Sequence, residues 1–160
     1  MEENKATPRM VAQKGVTTLN RSQLMKFMYL RLNKSTNPRV TVAYMTVSEA
    51  NGPQAIQFGY AIRAPNDPWN RNRARLIAEG RMFASMVRAP KEPTTKAPTQ
   101  ASGSIPLDTT PGNPPDQQIL DALTALPDTF MCAATVRKYA KMVREARTIR
   151  VVAQSTVSAP

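Results

Sequence analysis

The densest chemistry in this chain is a run of guanidinium groups. From Ile62 to Arg81 it reads Ile62-Arg-Ala-Pro-Asn-Asp-Pro-Trp-Asn-Arg-Asn-Arg-Ala-Arg-Leu-Ile-Ala-Glu-Gly-Arg81, which sets Arg63, Arg71, Arg73, Arg75 and Arg81 around Trp69. Arginine forks hold phosphate oxygens through paired hydrogen bonds. A helix that begins inside this run adds free amide donors and a partial positive charge. At about 100° per residue, Arg71 and Arg75 share one face while Arg73 falls on the apolar side. Arg73 must then meet an anion, or pair with Asp67 or Glu79. A second basic set, Lys138, Lys141 and Arg144 with Arg147 and Arg150, suits a helix that tracks phosphates. A solvated charged face is the competing reading.

Three aromatic residues could stack a base: Trp69, Tyr60 and Phe58. Each also has a core role available, Trp69 as an anchor of its helix and Phe58 and Tyr60 on a sheet face that must be covered, and the core role is preferred.

Enzyme chemistry finds no support. The 160 residues contain no histidine, so imidazole catalysis and His-ligated metals are excluded. The single Cys132 forms no internal disulfide, and its apolar neighbours predict a buried structural thiol. The glycines are scattered and form no phosphate loop, and the acidic residues have no metal-site spacing. No catalytic residue, metal or cofactor is therefore expected. The polar N-terminus and the lack of a long apolar segment predict no membrane insertion and a cytoplasmic location, the host cytoplasm if the protein is viral.

The net charge is +11, from 22 basic and 11 acidic residues. Met1 to Arg88 holds fourteen Lys/Arg against five Asp/Glu, Ala89 to Pro115 two against two, and Asp116 to Pro160 six against four. Such a field implies a polyanionic partner. Seven of the fourteen prolines lie between Ala89 and Gln118, which rules out regular helix or central strand there.

The positioning elements follow from periodicity. Residues 1–21 read as a flexible arm. Lys26 to Asn33 alternates as a strand, although Leu24, Phe27, Met28 and Arg31 would also suit a helix begun at Ser22. Val40 to Val47 and Gln54 to Arg63 form an antiparallel hairpin across Asn51-Gly52-Pro53. A helix follows from Pro68 to Arg88, capped by Asp67, with Trp69, Leu76, Ile77, Phe83, Ala84 and Val87 as its apolar stripe and Gly80 allowing close packing on the sheet. Residues 89–115 read as a mobile linker. Two helices, from Asp116 to Leu126 and from Ala133 to Val152, complete residues 116–152, and 153–160 read as a frayed tail.

The stretch from Phe58 to Arg81 resembles a strand–turn–helix of small bacteriophage proteins. It is similar in outline to the sponges that sequester the cyclic ADP-ribose-type signal of the bacterial Thoeris defence. That resemblance spans about 24 of the 160 residues. It implies an oligomer that binds a signalling nucleotide without turning it over, with Trp69, Arg73, Arg75 and Arg81 near the pocket.

The expected fold is α+β: a basic body over residues 22–88 with an antiparallel meander of two or three strands under one helix, then the linker and a C-terminal helical pair. The body alone is small, so a homo-oligomer is expected. The leading functional expectation is a viral-type, non-enzymatic nucleic-acid-binding protein that prefers single-stranded DNA or RNA without sequence specificity. Its alternatives are a sponge for a small signalling nucleotide and a virion or assembly component that contacts packaged nucleic acid.

Overall fold

The computed structural model describes residues 25–48, 54–87 and 99–158. The proposed N-terminal arm and the Asn51-Gly52-Pro53 turn lie outside the described residues. The class is α+β, as expected, with four strands rather than two or three. Strand β1 (Lys26–Leu30), β2 (Val40–Ser48) and β3 (Gln54–Ile62) precede helix α1 (Arg71–Val87). Strand β4 (Ser102–Pro106) and helices α2 (Pro115–Thr124) and α3 (Ala133–Ser158) follow. The sheet order is β1-β2-β3-β4, with every neighbouring pair antiparallel.

Alternation along the strands sorts the side chains into two cores. Val40, Val42 and Tyr44 of β2 share a face with Ile56, Phe58 and Tyr60 of β3. Ile119, Leu120 and Leu123 of α2 and Ala133, Val136 and Ala140 of α3 cover that face. The opposite face carries Ala43 and Ala61 and receives Ala78 and Met82 of α1. The sheet is thus the middle of three layers, and the C-terminal helices complete the body's own core.

Residues 89–115 are not wholly a linker. Ser102 to Pro106 forms an edge strand, with Ile105 opposite Ile56. An edge position tolerates Pro106 and Gly103, whose residue types disfavour central strands. Gly103 sits close under an aromatic pair: a Cβ there would stand 3.2 Å from the Phe58 ring, a tight contact, and that ring stacks on Phe130 at 6.4 Å between centroids. Ahead of β4, Tyr60 N–H donates to the Ala101 carbonyl and Met131 N–H to the Gln100 carbonyl, at 2.9 and 2.7 Å. Beyond β4, Gln118 side-chain atoms bond to Asp108 N–H, Asp108 carbonyl and Asn113 carbonyl at 2.7–2.8 Å. These ties hold residues 99–118 to the body.

Helix α1 differs from its expected form. It starts at Arg71, and Asn70 caps it: the Asn70 side-chain oxygen accepts from Arg73 N–H at 3.0 Å. Leu76 and Ile77 are 69% and 36% exposed, not core. The reason is Gly59. A Cβ there would stand 2.6 Å from the Ala78 carbonyl and overlap the Met82 backbone. The helix backbone rests on the strand backbone, so Ala78 and Met82 face the sheet and Leu76 and Ile77 are turned to the flanks. Gly80, expected at that contact, has open space around it. Cys132, expected to be buried, is exposed with φ 50°, where the chain turns into α3. Helix α3 extends through Ser158, past the expected start of the tail.

Candidate nucleic-acid interface

Antiparallel pairing puts two arginines side by side. The β2–β3 register sets Val40 opposite Ile62, and one step further Arg63 N–H donates to the Arg39 carbonyl at 2.9 Å. Both residues follow the alternation of Thr41 and Ala61, on the α1 face. The loop from Arg63 to Asn70 then folds over that end of the sheet. Arg63 braces it, donating from Nε to the Pro38 carbonyl at 3.1 Å and from a terminal nitrogen to the Asp67 carbonyl at 2.9 Å.

Between this loop, the first turns of α1 and the sheet lies a cleft of about 240 Å³. Arg39, Arg63 and Arg73 line it, with Trp69, Asn70 and Ile77. Arg73 is exposed, and its side chain forms no ion pair with Asp67 or Glu79 among the described residues. The Nε of Arg39 is buried and has no hydrogen-bond partner among the described residues.

Beside the cleft, β1 offers two aromatic rings to the same helix. The Arg71 guanidinium lies 5.5 Å from the centre of the Tyr29 ring, and its Nε donates to the Tyr29 hydroxyl at 3.2 Å. Arg75 lies 4.2 Å over Phe27. Such contacts hold the guanidinium planes while leaving donors for a ligand; each contributes about 0.5–1 kcal/mol at exposed sites. Trp69 is partly buried and meets Tyr29 edge to face at 6.1 Å. It is both an anchor of the helix entry and a ring at the cleft.

The first turn of α1 holds no acidic residue. Helix N-termini favour Asp and Glu, because the macrodipole places partial positive charge there. Here Arg71 and Arg73 occupy that turn instead. This opposes the stability of the isolated helix and favours a bound anion.

The other expected site residues are placed elsewhere. Phe58 and Tyr60 are 3% and 0% exposed beneath α2 and α3, so no base reaches them. Tyr60 donates its hydroxyl to the Met131 carbonyl at 2.7 Å, and burial pushes its pKa well above the usual tyrosine range. Arg81 donates to the Tyr60 carbonyl at 2.9 Å and acts as a brace between α1 and the sheet. Arg144 faces α2, 3.2 Å from the Thr124 hydroxyl and 3.8 Å from Asp121. Arg137 pairs with Asp128 at 2.8 Å and Arg147 with Asp116 at 3.2 Å. Lys138 and Lys141 are exposed on α3, across the sheet from α1. The two basic helices therefore form two separate surfaces.

Arg39, Tyr29 and Phe27 were not among the residues expected at the site. Extending the hairpin register by one residue would have placed Arg39 beside Arg63. Nothing in the local pattern ties β1 to α1. Among the described residues there is no cluster of His, Cys, Asp and Glu able to hold a metal, and no helix long and apolar enough to cross a membrane. No family model, curated protein or solved structure matches the chain.

Proposed function

We propose that the protein is a non-enzymatic nucleic-acid-binding protein that holds phosphates on its α1 side, largely without regard to sequence. The observation that supports this most is how its charge is distributed. Described residues up to Val87 carry nine Lys/Arg against two Asp/Glu, and none of the ion pairs among the described residues involves them. Described residues from Thr99 onward carry six Lys/Arg against five Asp/Glu, and all three ion pairs lie there. Arg137, Arg144 and Arg147 of α3 thus have internal counter-charges, whereas Arg71, Arg73 and Arg75 have none among the described residues.

A preference for single strands now rests on Trp69 alone, with about 1–3 kcal/mol available from one stacked base. Enclosure of a free signalling nucleotide is less well supported. The cleft of about 240 Å³ lies below the roughly 300–1,000 Å³ of pockets that engulf such ligands.

A fluorescence-anisotropy titration of a labelled single-stranded oligonucleotide against salt tests the proposal. Each neutralised phosphate adds about −0.7 to the slope of log K on log salt, so engagement of Arg71, Arg73 and Arg75 gives a slope of about −2 or steeper. Binding that does not respond to salt overturns it. So does tighter binding of a mononucleotide than of any oligonucleotide.

A further inference from the structure

We propose that the cleft beneath the start of α1 receives the terminal phosphate of a nucleic-acid strand, a phosphomonoester rather than an internal diester. The inference rests on the reading of the α1 side as a nucleic-acid surface and adds a defined position on it.

Three features of the cleft point to a compact, highly charged anion. Arg39, Arg63 and Arg73 converge on one space of about 240 Å³, where the only carboxylate is that of Asp67. Like charges gathered there repel one another unless an anion lies between them. Arg39 Nε is buried and has no partner among the described residues. A donor withdrawn from water without an acceptor costs about 1–3 kcal/mol, more for a charged group. Finally, Arg63 already spends its Nε and one terminal nitrogen on backbone carbonyls, which fixes its position in the cleft wall before any ligand arrives.

The form of the anion follows from volume and charge. A diester carries one negative charge and must let the chain continue on both sides. A phosphomonoester carries about −1.5 to −2 at neutral pH and three acceptor oxygens. That matches several converging guanidinium groups better. The space is too small for a whole nucleotide unit plus its neighbours, yet adequate for an end group. Trp69, half-buried in the lining of the cleft, offers a ring to the terminal sugar or base. Arg71 and Arg75, spread over the β1 rings outside the cleft, remain for the following diesters.

The test compares three versions of one labelled single-stranded oligonucleotide: a 5′-phosphate, a 3′-phosphate, and hydroxyls at both ends. One phosphorylated form is expected to bind the full chain about tenfold more tightly than the hydroxyl form, and which one gives the polarity of the strand. Millimolar inorganic phosphate should erase this advantage. In Arg39→Gln the phosphorylated and hydroxyl strands should bind alike, and Arg39→Lys, which keeps the charge but loses the fork, should restore part of the difference. Equal affinity of all three strands for the unaltered protein overturns the inference while the nucleic-acid reading stands. Absence of binding to every strand overturns both. Because the main comparison uses the unaltered chain, a variant that fails to fold does not obscure the result.

Discussion

Gly59 and Met82 meet backbone to backbone: a Cβ on Gly59 would overlap the Met82 nitrogen and stand 2.6 Å from the Ala78 carbonyl. This contact sets the height of α1 above the sheet. It also sets Arg73 in the cleft wall and Arg71 and Arg75 beside the cleft, over the β1 rings. Because the obstruction is main chain, no rotamer change relieves it. Gly59→Ala is expected to cost at least the roughly 1–3 kcal/mol typical of overpacking, read as a lower urea midpoint. Gly80→Ala, at an open helical position, should raise stability by up to about 1 kcal/mol. A neutral Gly59→Ala would contradict the packing described.

The separation of charge predicts unequal effects of charge removal on the two faces. Arg71→Gln, Arg73→Gln and Arg75→Gln combined should flatten the salt slope for a single-stranded oligonucleotide by about 2. Lys138→Gln with Lys141→Gln, across the sheet, should change affinity by less than about threefold. Equal losses from both sets would mean that a strand wraps the whole body.

Stability should fall at alkaline pH. Burial raises the Tyr60 pKa, with the Cys132 thiolate adding to the effect and Arg81 opposing it. Burial also raises that of Tyr44, with the Asp116 carboxylate adding to it and Arg147 opposing it. Both hydroxyls hold their protons more tightly folded than unfolded. Their contribution is fully present below the ordinary tyrosine pKa of about 10 and is lost as pH rises beyond it. Urea midpoints measured between about pH 8 and about pH 11 should be level at first and then drop. Tyr60→Phe should reduce the drop, and should lower stability near neutral pH by about 1 kcal/mol by depriving the Met131 carbonyl of its donor. A midpoint that does not change up to about pH 11 would count against the buried placement of both rings.

The strand within the proline-rich stretch can be tested by hydrogen exchange. Leu107 N–H donates to the Gln54 carbonyl at 3.1 Å, and Asp108 N–H to the Gln118 side chain at 2.8 Å. Both amides should exchange far more slowly than those of a free linker. Gln118→Ala should remove protection at Asp108 and cost about 1–3 kcal/mol, since it removes the three hydrogen bonds made by a buried side chain. Free exchange across residues 102–108 would show that the edge strand does not form.

Much of the fold could be read from local pattern. Alternation in Val40–Val47 and Gln54–Arg63 defined the hairpin and both its faces, and the apolar spacing after Asp116 defined the C-terminal helices. β4 could not be read this way. Ser102, Gly103, Ser104 and Pro106 have poor strand propensity, and only pairing with β3 organises them. The arginine run was visible, but its division into a cleft set and a ring-backed set was not.

Residue types and their order established that this chain carries a large excess of guanidinium and ammonium groups, lacks histidine, and folds as a hairpin followed by helices. Those properties are local or compositional, so no distant contact can alter them. Which cations remain available was decided by the packing of the whole chain. Asp116, Asp121 and Asp128 reach Arg147, Arg144 and Arg137 only because α2 folds against α3. Arg73 joins Arg39 and Arg63 because a glycine in β3 lets a helix settle directly on the sheet. Coulomb energies depend on distances through space, and linear order does not contain those distances.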